Sequence, residues 1–153
     1  MNKTTVAISG GFDFCHVGHL AYIKEAMKLG DELIIILSRD DQLRKKKGYC
    51  VMPFEDRKAI LEAIIQTGLY DVDKVAGNVD EDITSCLSLR VYKPDIFAKG
   101  GDTWDTENLP EQAVCEELGI KVVFGVGGFD KAQSSSNLME KAIESYRSPA
   151  SKE

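Results

Sequence analysis

Five short apolar runs alternate with amphipathic stretches along this chain, and few folds accommodate that pattern. Val6-Ala7-Ile8-Ser9 reads as a first strand that stops at Gly10-Gly11. A helix is expected from about His19 to Leu29, with Leu20, Ile23 and Met27 on one face and Gly30 as its stop. Glu32 to Ser38 is a second strand, apolar on both faces as a central parallel strand must be. Pro53 opens a helix to about Thr67 whose buried stripe is Ile60, Leu61, Ile64 and Ile65, with Gly68 beyond it. A short strand at Lys74-Val75-Ala76 leads to an acidic segment, Asp80-Glu81-Asp82. That segment suits the positive end of a helix dipole, so a helix is expected from there to about Val91. A strand at Asp95-Ile96-Phe97-Ala98, a helix from about Leu109 to Leu118 and a strand at Lys121-Val122-Val123-Phe124 follow. A last helix starts near Ser134-Ser135-Ser136 and runs to about Tyr146.

Strands that alternate with helices build a parallel sheet, because a parallel connection needs a crossover long enough to hold a helix. The expected fold is α/β: a Rossmann-like, doubly wound, five-stranded parallel sheet with helices on both faces, in a single domain over residues 1–147. Residues 148–153 form a polar C-terminal tail. In such sheets a ligand sits beyond the carboxyl ends of the strands. The glycine, lysine and serine motifs of this chain all fall there.

Charge and composition narrow the partners. A net charge of −6 over 153 residues argues against a nucleic-acid binder, which needs a broad cationic surface to displace counterions. It leaves room for an anionic small substrate, since a local basic cluster can outweigh distant acidic surface. The longest strongly apolar run, Leu33-Ile34-Ile35-Ile36-Leu37, is far short of the ~20 residues that span a bilayer. No membrane association and no signal peptide are expected, and a cytoplasmic location follows. The four cysteines (Cys15, Cys50, Cys86 and Cys115) contain no C-x-x-C pair and are expected as free thiols. A metal site of His16, His19 and Cys15 lacks further well-spaced ligands, so no protein-built metal site is expected.

The turn between the first strand and helix carries the strongest chemical signal: Gly10-Gly11-Phe12-Asp13-Phe14-Cys15-His16-Val17-Gly18-His19. Two glycines allow close approach of a ligand to the backbone, and the helix start offers unpaired N–H groups to an anion. His16 and His19 are the two histidines of the chain and lie one helical turn apart, so both imidazoles can project to one side. Imidazoles placed there can stabilise charge that develops at a phosphorus centre. Three further stretches sit at strand ends. Arg44-Lys45-Lys46-Lys47-Gly48 is a dense basic run, read as a loop after the second strand. Lys99-Gly100-Gly101-Asp102 exposes backbone amides and a carboxylate, with Trp104 two residues on. Ser134-Ser135-Ser136 can cap a helix or hold phosphate through hydroxyls and helix amides.

Gly10-Gly11-Phe12-Asp13 followed by His16-Val17-Gly18-His19 resembles the G-x-F-D-x-x-H-x-G-H signature of the cytidylyltransferase-like nucleotidyltransferases. The likeness continues. The basic run with Met52-Pro53-Phe54-Glu55-Asp56-Arg57 is similar to the basic loop and E-x-R helix start of glycerol-3-phosphate cytidylyltransferases and ADP-heptose synthases. Lys93-Pro94-Asp95 with Lys99 to Asp102 is similar to the K-P-D…K-G-G-D segment of the ADP-heptose synthase adenylyltransferase part. Ser134 to Asn137 stands where that family has S-T-T-x. The departure is at Asp130-Lys131, where the cytidylyltransferases place an arginine; a lysine lacks the bidentate fork.

The resemblance implies transfer of CMP or AMP from CTP or ATP to a phosphorylated polyol or sugar, with release of pyrophosphate. The alternatives are an FAD synthetase- or pantetheine-phosphate-type adenylyltransferase, or a non-catalytic nucleotide-binding module. It implies His16, His19 and Lys46 as catalytic residues. It implies Gly10, Gly11, Phe12, Arg57, Gly100, Asp102, Ser134, Ser135 and Ser136 at the nucleotide, with Arg57 contacting phosphate. Lys99, Trp104 and Lys131 are the candidates for the acceptor. Magnesium is expected to enter with the nucleotide and to be held mainly by its phosphates, and a homodimer is the usual assembly of such enzymes.

Overall fold

A computed structural model describes residues 3–66, 74–101, 103–128 and 135–147. Its element order is β1 (Thr5–Gly10), α1 (Val17–Met27), β2 (Glu32–Leu37), α2 (Asp40–Lys47), α3 (Phe54–Gln66), β3 (Lys74–Gly77), α4 (Cys86–Tyr92), β4 (Ile96–Gly100), α5 (Gln112–Leu118), β5 (Lys121–Val126) and α6 (Ser135–Arg147). The five strands form one parallel sheet in the order β3-β2-β1-β4-β5. The chain winds outward from β1 to β3, then returns to the other side of β1 with β4. The switch point is therefore the gap between the carboxyl ends of β1 and β4, where such sheets bind ligands.

Alternation along the strands explains the two cores. Val6 and Ile8 of β1 point to one face with Leu33, Ile35 and Leu37 of β2, against Ile23 and Ala26 of α1 and Leu61 of α3. Ala7 points to the other face with Ile36 and Phe97, against Leu89 of α4 and Cys115 of α5. Each fully buried aliphatic side chain adds about 1.5–3 kcal/mol, so both helical layers are held to the sheet by dispersed apolar burial. No helix among the described residues is long and apolar enough to cross a membrane.

Two sequence expectations are corrected. The basic run is the C-terminal half of a helix, α2, capped at its start by the backbone N–H of Arg39 donating to Gln42 Oε1 at 2.9 Å. Its last-turn cations suit the negative end of the helix dipole. The acidic segment Asp80-Glu81-Asp82 lies before a shorter helix rather than inside one, since α4 begins at Cys86. There Asp80 is buried and serves as a clamp: its carboxylate accepts the N–H groups of Leu87 (2.6 Å) and Ser88 (2.9 Å) and the Ser88 hydroxyl (2.7 Å). The dipole argument located the right residues, but the contact is made by a side chain reaching forward to the first turn. The expected end of α3 near Thr67 and Gly68 lies outside the described residues.

Candidate functional site

The turn after β1 is built before any ligand arrives. Gly11 packs on Leu43 of α2 so closely that an added Cβ would collide with the leucine methyl. Phe12 follows with φ of 48°, the left-handed region that costs a non-glycine residue about 1–2 kcal/mol. Its ring is buried and rests against His19 at 4.8 Å between centroids. Asp13, also buried, accepts the backbone N–H groups of Val51 (2.7 Å) and Met52 (2.8 Å), which ties the turn to the segment between α2 and α3.

His16 is the N-cap of α1, and His19 occupies its third helical position. Gly18 N–H donates to His16 Nδ1 at 3.1 Å, and His16 N–H donates to His19 Nδ1 at 3.3 Å. The two rings stack with centroids 3.9 Å apart and planes tilted by 23°. With Nδ1 engaged as an acceptor, the neutral ring carries its proton on Nε2 and is a donor there. The electrostatics favour that neutral form. Burial holds His19 down to about 3, helped by the neighbouring His16 and Lys47 charges, while the Phe14 carbonyl pulls the other way. His16 is lowered too, first by burial and then by Lys47.

A cavity of about 450 Å³ opens over this pair at the carboxyl ends of β1, β4 and β5. His16, Gly18, His19 and Tyr22 line it from α1, Lys46 and Lys47 from α2, and Ser136 from α6. Lys99, Gly100 and Gly101 border it at the end of β4, and Thr103 and Trp104 follow. On the β5 side Gly127 has φ of 89°, and a Cβ there would lie 3.0 Å from the Tyr22 Cα, so the strand end abuts α1 directly. Tyr22 secures that corner from below, its hydroxyl donating to the Ala98 carbonyl at 2.5 Å. Among the described residues no cluster of histidine, cysteine or carboxylate side chains could hold a metal ion. The cysteines are all free; Cys15, beside His16, has its thiol pushed up by burial.

Most of the residues singled out from sequence and described here meet in this one cavity: Gly10, Phe12, His16, His19, Lys46, Lys99, Gly100, Trp104 and Ser136. Arg57 does not. Its side chain is fully enclosed, with Nε donating to the Met52 carbonyl (2.8 Å) and Nη1 to the carbonyls of Gly11 (2.9 Å) and Ser38 (2.7 Å). Nη2 meets Asp40 Oδ1 at 2.6 Å. All three nitrogens are thus spent on the protein, so the expected phosphate contact gives way to a bracket joining the turn, the end of β2 and the start of α2. Gly11 likewise is a packing residue and not part of the wall. Asp102, Lys131, Ser134 and the side chain of Ser135 lie outside the described residues.

Sequence reasoning missed Lys47 on the cavity wall and the buried pairing of Asp13. Lys47 follows Lys46 at the C-terminal end of α2 and lines the cavity beside it. Asp13 stood inside the quoted signature, and its buried pairing depends on a partner 38 residues away.

Comparison with known proteins agrees with the geometry. The cytidylyltransferase-like family model matches residues 7–141. An FAD synthase of Pyrococcus abyssi is 39% identical over 122 residues, covering 78% of this chain and 77% of that protein. The bifunctional protein HldE of Streptomyces coelicolor is 36% identical over 94% of this chain, which spans 29% of HldE. Among solved structures, the lipopolysaccharide core biosynthesis protein of Thermoplasma volcanium superposes with a TM-score of 0.66 at 28% identity, covering 86% of this chain and all of that one. The chain belongs to the cytidylyltransferase-like family and is a nucleotidyltransferase.

Proposed function

We propose that this enzyme transfers an adenylyl group from ATP to the phosphate of FMN or of a closely similar phosphate monoester, releasing pyrophosphate. The observation that carries the reading is the stacked His16–His19 pair, both Nδ1 atoms engaged, in a cavity shared with Lys46 and Ser136. An acceptor phosphate oxygen attacks the α-phosphorus in line, the bond from that phosphorus to the bridging oxygen breaks, and pyrophosphate leaves. The acceptor is already an anion, so no protein nucleophile is required, and catalysis rests on positioning and charge stabilisation. His16 and His19 donate from Nε2 to the α-phosphate as charge builds, Lys46 bridges the α-phosphate and the acceptor, and the serine-led start of α6 receives the departing phosphates. Magnesium, which neutralises the triphosphate when bound, would take its ligands from phosphate and water. The described cavity wall holds no carboxylate to compete for it.

FMN is favoured as acceptor because FAD is FMN joined to an adenylyl group, and the likeness to FAD synthase runs along most of both chains. A phosphorylated sugar or polyol, with CTP or ATP, is the second reading, supported by the match to HldE and to the lipopolysaccharide core protein. Measuring pyrophosphate release with each nucleoside triphosphate against FMN, glycerol 3-phosphate and sugar phosphates separates the two. His19→Ala should lower turnover by on the order of 10²-fold while the fold persists. Undiminished turnover in that variant would exclude the mechanism.

A further inference from the structure

Helix α2 carries Lys46 and Lys47 to the cavity on a slight apolar hold. Its two buried residues are Gln42 and Leu43. Leu43 packs on Gly11, where an added Cβ would lie 2.4 Å from the leucine methyl. That contact sets how near the helix sits and is indifferent to its rotation, because apolar packing is non-directional. A rotation of about 20° would carry a side-chain tip on the helix circumference about 2 Å. A displacement of that size costs on the order of 10²-fold where a charge must meet a reacting phosphate.

The directional contacts come from Gln42. Its side chain is buried, with Oε1 accepting the Arg39 N–H at 2.9 Å and Nε2 donating to Asn78 Oδ1 at 3.0 Å and to the Asp82 carbonyl at 2.7 Å. Asn78 is fixed in turn. Its own N–H donates to the Leu37 carbonyl at the end of β2 (2.9 Å), Oδ1 accepts the Asp80 N–H (2.8 Å), and Nδ2 donates to the Thr84 carbonyl (3.0 Å). Each amide oxygen therefore meets a backbone N–H, which leaves one orientation for each side chain. Through Asn78, Gln42 ties the helix to the sheet. Arg39, ahead of the helix, and Asp40 fasten its start as well. Gln42 is the buried one of the three, and it stands one helical turn before Lys46.

Burying two amides costs desolvation, and what a satisfied network returns is position, since a hydrogen bond weakens steeply when it is turned. We propose that Gln42 is a positioning residue for nucleotidyl transfer: held by Asn78, it fixes the rotation of α2 and so sets Lys46 and Lys47 against the ligand phosphates. This role rests on the transfer reading above and extends it to a residue outside the cavity wall.

The test combines pyrophosphate release from ATP and FMN with calorimetric titration of magnesium-ATP, at a temperature where each variant is folded. Gln42→Leu removes the tie at nearly constant volume. It should lower kcat by about ten- to a hundredfold and raise the Kd for magnesium-ATP about fivefold. In a background carrying Lys46→Met and Lys47→Met, the same substitution should raise that Kd by less than about twofold, because the cations it would misplace are gone. Equal losses in the two backgrounds, or none in either, would overturn the positioning role. Ser88→Ala is the control for stability. Ser88 donates to Asp80 at 2.7 Å and accepts the Val79 N–H at 2.9 Å in the same polar layer. Its loss should lower the Tm while kcat stays within about twofold of wild type. A fall in kcat equal to that of Gln42→Leu would show that the layer acts through stability alone and would overturn the role of Gln42. Gln42→Met, whose flexible chain adapts to the space, takes the place of leucine if that variant does not fold. No pyrophosphate release from wild type, with the difference in binding between backgrounds intact, would remove the transfer reading and leave Gln42 as the residue that positions the lysines.

Discussion

At the scale of single residues, the histidine pair shows how a local motif becomes chemistry. A histidine every third residue makes a stacked pair only because His16 caps α1 and His19 takes the third helical position, so that each Nδ1 meets a backbone N–H. The result is a pair of neutral donors, with His19 held near 3 by burial and by neighbouring positive charge. This has a thermodynamic consequence whose sign is definite. The folded pKa lies below the ordinary value of 6.5, so between about 3 and 6.5 the unfolded chain binds the extra proton. The stabilising contribution is fully present above pH 6.5 and is lost on acidification, by about 1.4 kcal/mol per pH unit through that window. Urea unfolding from pH 7 to pH 4 should show this loss in wild type and a shallower one in His19→Gln. Equal slopes would show that His19 is not held neutral. A sequence reveals that two histidines are neighbours; the burial that sets their protonation comes from Phe12 and the cavity wall.

At the scale of elements, Arg57 is the instructive case. Sequence resemblance put it on a phosphate, whereas the folded chain surrounds it with three backbone carbonyls and Asp40. Its ties reach as far as 46 residues back to Gly11 and 19 back to Ser38, so nothing local announces the role. Lysine has three donors on a single nitrogen and cannot span the four acceptors that the planar guanidinium reaches from three nitrogens. Arg57→Lys should therefore lower unfolding free energy by about 3 kcal/mol, the cost of opening a buried charged network, with the KM for ATP changed by less than about threefold at a temperature where the variant is folded. A large rise in that KM with unchanged stability would return Arg57 to the phosphate. Helix α2 teaches the same lesson. Eight mostly polar residues with Leu43 as their buried aliphatic contact offer no apolar stripe, and a loop was the natural expectation. The helix holds because Gln42 caps its start and, itself buried, donates to Asn78 Oδ1 at 3.0 Å and the Asp82 carbonyl at 2.7 Å. Those partners lie beyond β3.

At the scale of the whole molecule, one sheet gathers the cavity from β1, β4, β5 and the three helices α1, α2 and α6. A ligand that touches all of them must stabilise the fold as a unit. Magnesium-ATP at about a hundred times its Kd should add about 2.7 kcal/mol and raise the Tm by roughly 5–10 °C in a single transition. Two separate transitions would contradict the single-sheet description. The alternation of strands and helices, the parallel sheet and the Gly10–His19 turn were determined by the sequence alone, because hydrophobic period and turn chemistry are local and act within a few residues. The bracket of Arg57, the helical form of the lysine run and the approach of Lys99 to the Trp104 ring were decided only by tertiary structure. Each depends on the burial and charge that remote segments bring when the sheet closes, and a buried ion takes its meaning from what surrounds it.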